Sequence, residues 1–590
     1  MQPARIVFVI VLLTGSHARG EPSALWGADG ELFDPAGPMM DWSYAGYHHG
    51  EDELPELVPT HEVVDFGAIG DGTTDDTAAF RDAIAAAEAD GGGVVHAGPG
   101  AWVIADKLTL PDHVVLRGDG PGETTLMIPV SLTELYGNEG LDDGGSSSYA
   151  FSEAFIEGRG DVDGDAIATV TAAAVRGDTA IELGDASMLS VGQWIRITQT
   201  DEGGELMDRL HADLLPSGDD NVGDRGMNHH TRVSAIAGTT VTLERPLPVD
   251  IDLAWSPDVR AVTATVAEIG VEHLRIEFPL TEYPGHFEEL GYNAIDFAEV
   301  AHAWVRDVEI VNADYGVNLR DAYFVTVADV VLDTTGDRGP LSGHHGFSNG
   351  HGNDNLFIGF DVRTTMVHDL TNEWYATGVV FTQGRGDDLR MDHHRAAPYT
   401  TLWTEIDCGE GASAFDSGGS SNRGPHTAAY DMLWNVRAAA TMELPDDDFG
   451  PRMGFVGFHT DATEATSPYE WWFEAIAPGD IEPANIWLAM RERRLGPEGP
   501  DGTTGGSDDG GSHTGGVDSS TEEEGPGGDD GSDVDPDGSS DASASEGGAG
   551  TSDGASASDG DAGGCGCSSS SSGGTAMLGL VVLALRRRRR

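Results

Sequence analysis

The segment from Val63 to Ile104 constrains the possible fold more than any other part of the chain. It begins with a short apolar run and a turn rich in Gly, Asp and Thr, and continues into one helix that Gly91–Gly93 terminates. The helix places its apolar residues on a single face: Phe80, Ala83, Ile84 and Ala87. Short strands separated by turns follow it: Val94–His96, Ala101–Ile104, Leu108–Leu110 and Val114–Leu116. One helix leading into a series of very short strands predicts the capped start of a solenoid.

Short strands return later in the chain at intervals of about 20 to 30 residues, as expected for coils with loops of unequal length. They are His273–Phe278, Trp304–Val311, Phe324–Leu332, Leu356–Arg363, Thr377–Thr382, Leu402–Asp407 and Met432–Ala438. Residues from about 168 to 252 instead alternate as a small β-rich insertion, with His229 and His230 in its long loop. A helical period reappears at Pro483–Arg494, where we expect a cap on the far end of the solenoid.

The amino-acid sequence of residues 63–104 resembles the N-terminal part of the β-helix domain in proteins of the pectate lyase superfamily. A Ser-Tyr-Ala-Gly-Tyr phrase at residues 43–47 is similar to one that precedes the first coil in that superfamily. The resemblance implies an all-β fold, a single-stranded right-handed parallel β-helix at residues 63–496 preceded by an N-terminal arm at 20–62. It also implies action on polysaccharides. Three acids of the opening are expected to form turn and N-cap hydrogen bonds rather than to catalyse a reaction: Asp71, Asp75 and Asp76.

The two ends of the chain are predicted to lie outside this fold. Residues 1–18 have the pattern of a secretory signal peptide, and residues 497–564 form a Gly/Ser/Asp stretch too polar to bury a core. Residues 565–590 combine Cys565 and Cys567, an apolar stretch of eleven residues and five arginines. Eleven residues are too few to span a bilayer, which requires about 20. This tail resembles the C-terminal sorting signal of myxobacterial surface proteins, which implies export and retention at the cell surface.

The charge of the chain limits its partners. The formal net charge is −69, and the stretch at 497–564 contributes only 18 of the 101 acids, so the predicted fold itself is strongly acidic. Nucleic acids and anionic membranes are therefore excluded as partners by repulsion. Lys107 is the only lysine, so cationic roles must fall to Arg, His or a bound divalent cation such as calcium.

Histidines are concentrated in one part of the predicted coils. Seven of the 21 lie within about a seventh of the chain: His344, His345, His351, His368, His393, His394 and His426. Several polar pairs in this region are 24 residues apart: Arg320 and His344, His345 and Asp369, Asp369 and His393, Asp392 and Asp416. Residues at equal positions on successive coils stack about 4.8 Å apart. The spacing therefore predicts either a polar ladder along a substrate groove or one that only satisfies turns.

Two reactions could use these residues. A polysaccharide lyase needs a cation for the uronate carboxylate and a base, which Arg390, Arg395 or Arg423 and His393 or His394 could supply. A glycoside hydrolase instead needs two carboxylates about 5 to 9.5 Å apart. We favour β-elimination of an extracellular polysaccharide, with hydrolysis and non-catalytic glycan adhesion as alternatives. The candidate catalytic residues are His345, Asp369, Asp392, His393, His394, Arg395, Asp416 and Arg423. Metal binding by His344-His345 or His393-His394 is disfavoured because neighbouring strand residues point to opposite faces.

Overall fold

The computed structural model describes residues 20–200, 204–215 and 226–496, and the chain forms a parallel β-helix there. The predicted fold class, with its capping helix and β-rich insertion, is confirmed. The predicted signal peptide at 1–18, the stalk at 497–564 and the sorting tail at 565–590 lie outside the described residues. Within the described ranges, no helix is both long and apolar enough to cross a bilayer.

The long sheet runs the length of the solenoid and contains all but one of the strands that the sequence pattern predicts, the exception being Leu108–Leu110. Its strands are His61–Glu62, Asp71–Asp75, Gly93–His96, Gly100–Val103, Val114–Arg117, Thr124–Met127, Gly270–Glu277, Trp304–Val311, Thr326–Asp333, Leu356–Ile358, Asp361–Val362, Val380–Thr382, Arg385–Gly386, Leu402–Thr404, Met432–Val436, Gly454–Phe458 and Trp472–Glu474. Neighbouring coils pair in parallel, with Trp304 opposite Thr326 and Val380 opposite Leu402. Branched and aromatic residues on the inner face make this sheet visible in the sequence.

A second, short sheet contains seven parallel strands, of which only Leu108–Thr109 was predicted, within Leu108–Leu110. Its strands are Leu108–Thr109, Ile156–Arg159, Asn293–Ala298, Tyr315–Arg320, Gly343–Gly350, Met366–Glu373 and Met391–His393. Several of these strands are rich in Gly, His and Asn, so they lack the apolar alternation by which a strand is recognised. This sheet carries most of the histidines described below.

The core lies between the two sheets. Phe297, Val317, Phe347 and Leu370 of the short sheet are buried there. From the long sheet, the rings of Phe357, Phe381 and Trp403 stack at centroid distances of 4.6 and 4.4 Å. Cys408 is buried in the same core, and burial raises the pKa of its thiol.

The capping helix spans Thr77–Ala89 and buries Phe80, Ala83, Ile84 and Ala87 as predicted. The acids beside it act in turns, as expected. The Asp76 carboxylate accepts hydrogen bonds from the backbone of Ile69 and Gly70, and Asp75 accepts one from Thr77. Asp71 likewise accepts from Thr73 and Thr74, which lowers its pKa to about 2.

The insertion is an antiparallel sheet with its own apolar core. Its strands are Ala166–Thr169, Ala180–Glu182, Trp194–Gln199, Met227–Ala237, Thr240–Leu243 and Asp258–Ala261, and the helix Glu205–Leu210 accompanies them. The prediction that His229 and His230 occupy a loop is wrong. Both lie in Met227–Ala237, where they pair with Ile197 and Arg196, and both are buried.

The C-terminal helix Ile486–Leu495 does not cap the far end, contrary to expectation. It packs on the side of the long sheet together with the N-terminal arm, and its Arg491 and Arg494 donate hydrogen bonds to the carbonyls of Gly50 and Ser43. The apolar face of this helix packs against Trp434 and other side chains on the outer face of the long sheet. The remaining elements are short: strands Glu21–Pro22 and Ile481–Glu482, helices Leu132–Tyr136 and Glu139–Asp142, and 3-10 turns Tyr47–Gly50, Val63–Phe66, Leu253–Trp255 and Ser421–Arg423.

Candidate functional site

Five histidines and one aspartate meet on the short sheet, and we call them the histidine cluster. The members are His286, His344, His345, His368, Asp392 and His394. Most members lie on three adjacent strands, which are Gly343–Gly350, Met366–Glu373 and Met391–His393. These strands pair side by side, so residues far apart in the sequence come into contact. The ring of His368 lies centrally, with centroids 4.8 Å from His345, 4.7 Å from His394 and 5.6 Å from His286.

Asp392 organises the inner part of the cluster. Its Oδ2 atom accepts hydrogen bonds from Nδ1 of His394 at 2.7 Å and from Oγ1 of Thr371 at 3.0 Å, and it lies 3.1 Å from Nδ1 of His368. Its Oδ1 atom accepts from the backbone of Gly418 at 2.7 Å. Burial disfavours the charged carboxylate, but the two histidines outweigh this effect and hold the pKa of Asp392 well below its usual range.

The histidines differ in protonation because their surroundings differ. Burial lowers the pKa of His344 and His345 well below the usual value, and it lowers that of His368 as well. Burial opposes the charged form of His394 too, but the Asp392 carboxylate prevails and raises the pKa of His394. Burial thus favours the neutral form of His344, His345 and His368, whereas the Asp392 carboxylate favours the charged form of His394.

Polar and aromatic neighbours orient the outer histidines. Nδ1 of His345 lies 2.8 Å from Oγ1 of Thr371, and the Tyr315 ring stacks on the His345 ring at 4.9 Å. Nδ1 of His344 lies 3.3 Å from Oε1 of Glu289, whose pKa burial raises to about 7. The rings are thus fixed on several sides, which is the condition for a preorganised site.

Two loops cover the cluster. The loop between Glu277 and Asn293 carries His286, the half-buried outer member, whose ring stacks on Phe287 at 3.7 Å. The loop between the strand Leu402–Thr404 and the 3-10 turn Ser421–Arg423 brings Gly418 against the rings of His368 and His394. A Cβ atom at Gly418 would lie only 2.4 and 2.5 Å from their Cε1 atoms, so glycine is required for this approach.

The structure brings together three of the predicted site residues and separates the others. His345, Asp392 and His394 belong to the cluster, whereas His393 faces the interior, 5.0 Å from the Trp403 ring. Nδ1 of His393 lies 2.7 Å from the carbonyl of Met391. Asp369 is also turned away. It accepts hydrogen bonds from the backbone of Arg390 and Met366, and burial raises its pKa to about 7.

The predicted arginines and Asp416 lie around the cluster rather than in it. Arg395 donates hydrogen bonds to the carbonyl of Gly424 and to Asp448. Arg423 contacts Glu373 at 3.3 Å and lies 4.3 Å from the centre of the Trp374 ring. Asp416 is exposed. Of these residues, Arg423 lies near enough to His394 to lower its pKa, whereas Glu373 raises it.

The predicted stacking at 24-residue intervals is wrong. His345 lies opposite His368 rather than Asp369, and Asp392 lies opposite Thr371. Arg320 lies opposite Gly350, not His344, and forms an ion pair with Asp296 at 2.6 Å. The coils differ in length, so no single spacing can relate stacked residues. Sequence reasoning also missed His286, Glu289 and Thr371, since nothing in their local sequence indicates a site.

Two groups within the cluster offer ligand atoms close enough together to hold a metal ion. In each group the ligand atoms all lie within 4.8 Å of one another. The groups are His286, His344 and His368, and His368, Asp392 and His394.

The family model that matches this chain covers only its first coils. Residues 61–158 match the family model described as rhamnogalacturonase A/epimerase, pectate lyase-like. The matched segment ends before the first member of the histidine cluster, so this match says nothing about the cluster residues.

The curated relatives are mannuronan C5-epimerases of Azotobacter vinelandii. AlgE6 is 43% identical over 75 residues, which cover 12% of this chain and 9% of that protein. AlgE3 is 34% identical over 114 residues, which cover 17% of this chain and 6% of that protein. The chain therefore spans less than a tenth of the length of either relative.

Solved structures with a similar fold share little sequence with the chain. The tailspike protein gp49 of Pseudomonas phage LKA1 gives a TM-score of 0.39 at 14% identity, with 64% of each chain covered. The A-module of mannuronan C-5 epimerase AlgE4 from Azotobacter vinelandii gives 0.26 at 13% identity, with 68% of this chain and 93% of that chain covered.

Proposed function

We propose that this chain is a carbohydrate-active enzyme that modifies an extracellular polysaccharide at the histidine cluster. The observation that carries the proposal is the convergence of His345, His368 and His394 around Asp392 on one face of the short sheet. Imidazole is the side chain best suited to take and give protons near neutral pH. The pectate lyase-like first coils and the similarity to mannuronan C5-epimerases support a sugar polymer as the substrate.

The substrate class we propose is a uronate-containing glycan. The proton on the carbon beside a uronate carboxylate can be removed by a base. Expulsion of the neighbouring glycosidic oxygen then completes a β-elimination, whereas return of a proton to the opposite face completes an epimerisation. Both reactions require one group that accepts a proton and one that donates a proton, which the cluster contains.

We assign these two roles by position. His345 lies beside the central His368, with ring centroids 4.8 Å apart, and is proposed to remove the proton. His394, hydrogen-bonded to Asp392, is proposed to protonate the leaving oxygen or the carbanion. Arg423 and Trp374, stacked at the edge of the cluster, are proposed to hold a neighbouring sugar unit through charge and ring contact.

The test incubates the purified chain with a panel of uronate-containing and neutral glycans. Three products are measured: the ultraviolet absorbance of an unsaturated uronate, new reducing ends, and inversion at the carbon that carries the carboxylate, read by NMR in deuterated water. Absorbance together with reducing ends indicates elimination, and inversion without chain cleavage indicates epimerisation. New reducing ends without absorbance would instead favour hydrolysis, and binding without any product would favour an adhesin.

Substitutions of single histidines test whether the activity depends on the histidine cluster. His345→Gln and His394→Gln should each reduce turnover by at least about 100-fold, the usual contribution of a general base or acid. His113→Gln serves as the control, because His113 is exposed and lies in the first coils, away from the cluster. Full activity in His345→Gln would refute the assignment of the site.

We also propose export and attachment at the cell surface, on the strength of the signal-like residues 1–18 and the tail at 565–590. The test is fractionation of cells that produce the chain with Cys565→Ser and Cys567→Ser. The variant should be released into the medium while the parent chain stays with the cell envelope. Equal retention of both would contradict attachment through the cysteines.

A further inference from the structure

The outer half of the histidine cluster has the composition of a metal site. One ring nitrogen each of His286, His344 and His368 lies within 4.8 Å of the others. We propose that these three histidines bind one divalent transition-metal ion, with zinc as the best match. Three donors from protein and open remaining positions are the arrangement of a metal centre that also binds substrate.

The donor atoms decide the class of ion. Imidazole nitrogens suit zinc, cobalt, nickel and copper, whereas calcium and magnesium prefer oxygen ligands. Calcium is therefore not the ion that this set selects. The histidines are also suited to metal binding because they come from three separate segments that converge, two strands and one covering loop.

In two of the three histidines, a carboxylate oxygen lies close to one of the ring nitrogens. Oε1 of Glu289 lies 3.3 Å from Nδ1 of His344, and Oδ2 of Asp392 lies 3.1 Å from Nδ1 of His368. A carboxylate at one ring nitrogen orients the ring and leaves the other nitrogen to the metal, which is the usual outer shell of a metal-bound histidine. Glu289 is itself oriented by the hydroxyl of Tyr283, which donates to its Oε1 atom at 2.7 Å.

The alternative group of His368, Asp392 and His394 is less suited to a metal. Both oxygens of Asp392 already accept hydrogen bonds, Oδ2 from His394 and Thr371 and Oδ1 from the backbone of Gly418. A metal ion at Asp392 would have to displace these donors. In contrast, the group of His286, His344 and His368 contains no carboxylate whose hydrogen-bond donors would have to be displaced.

Access to the ion would come through His286. This residue is the half-buried member and lies on the loop between Glu277 and Asn293. The side of the ion away from the sheet would then be open to a ligand. A uronate carboxylate is an oxygen ligand of the right charge, and this part of the inference, unlike metal binding itself, rests on the proposed function.

The experiment measures metal binding in the absence of any glycan. The full chain is alkylated so that Cys565 and Cys567 do not bind metal, treated with a chelator, and dialysed against zinc. Bound zinc is measured by mass spectrometry, and cobalt substitution is followed by visible absorption. We expect one equivalent of bound zinc more in the parent chain than in His286→Ala, and an affinity at least about tenfold lower in His344→Gln.

His113→Ala is the matched control and should bind zinc like the parent chain, because His113 is exposed and remote from the cluster. Equal zinc contents in the parent chain, His286→Ala and His344→Gln would overturn the proposal. His286 is on a covering loop outside the strands, so its variant should keep the sheet intact, and urea unfolding like that of the parent chain would show that a loss of zinc there is not a folding effect. His345→Gln should retain zinc but lose turnover, so failure of the metal proposal is distinguishable from failure of the proposed function.

Discussion

Nδ1 of His394 lies 2.7 Å from Oδ2 of Asp392, only two residues earlier, although His393 between them faces the interior. Both members of this pair are buried, and Thr371 and Gly418 donate hydrogen bonds to the same carboxylate. The pair therefore joins two strands and a covering loop through a single buried charge. It is the central structural element of the histidine cluster.

Replacing Asp392 by Ala should destabilise the fold strongly. The substitution leaves the buried His394 without its counter-charge and two hydrogen-bond donors without an acceptor, which costs roughly 3 to 5 kcal/mol. Urea unfolding followed by tryptophan fluorescence measures the change in unfolding free energy. Asp416→Ala, at an exposed position, should change it by less than about 0.5 kcal/mol. A loss at Asp392 as small as at Asp416 would contradict the role of the buried carboxylate.

A methyl group at Gly418 should disturb the cluster from outside. In Gly418→Ala the new Cβ would meet the rings of His368 and His394 at 2.4 and 2.5 Å, so the covering loop or the rings must move. We expect a destabilisation of about 1 to 3 kcal/mol and a loss of turnover. Differential scanning calorimetry and the glycan assay measure the two effects.

Gly122→Ala is the matched control, because no atom lies within 4 Å of a Cβ placed there. It should leave both thermal stability and turnover near those of the parent chain. If Gly418→Ala behaves like Gly122→Ala, the loop does not press on the histidines as the structure indicates.

Acid should weaken the contact between the N-terminal arm and the coils. Burial lowers the pKa of His49 to about 2 and that of His302 to about 4, and the two rings lie 5.0 Å apart. Their unfolded pKa is about 6.5, so between these values the unfolded chain binds more protons and stability rises with pH. The stabilisation is complete above pH about 6.5 and is lost as the pH falls, toward 4 for His302 and toward 2 for His49.

Thermal unfolding at a series of pH values checks this expectation. His302→Gln removes one of the two groups, so its melting temperature should fall less steeply below pH about 6.5 than that of the parent chain. His113→Gln removes an exposed histidine and should leave the slope unchanged. Identical slopes in all three proteins would show that the arm does not govern the acid sensitivity.

The aromatic stack of the core should account for a large share of the stability of the middle coils. Phe381 is fully buried between Phe357 and Trp403, with centroids at 4.6 and 4.4 Å. Phe381→Ala should cost about 3 to 5 kcal/mol through lost burial and the cavity left behind. Val58→Ala, at a largely exposed position, should cost less than about 0.5 kcal/mol. Equal midpoints in urea unfolding for the two variants would contradict this account.

Parts of the fold that depend on apolar periodicity could be predicted from the sequence. The capping helix was recognisable because Phe80, Ala83, Ile84 and Ala87 recur at helical spacing, and the long-sheet strand Trp304–Val311 was recognisable from its apolar run. Apart from Leu108–Thr109, the short sheet was not recognisable, because a strand such as Gly343–Gly350 contains only one large apolar residue. The Pro483–Arg494 helical pattern was found, but its packing against the arm was not.

The sequence by itself determined that this chain is a strongly acidic solenoid whose histidines are concentrated in a few neighbouring coils. Only the tertiary structure decided which of them meet. Stacking depends on the length of each coil, and unequal coils place His345 opposite His368 and Asp392 opposite Thr371. The direction of a side chain also depends on where a strand ends, so His393 points into the core while His394 turns outward to Asp392. His286 reaches the same place from a separate loop, because folding brings distant segments together that no local pattern connects.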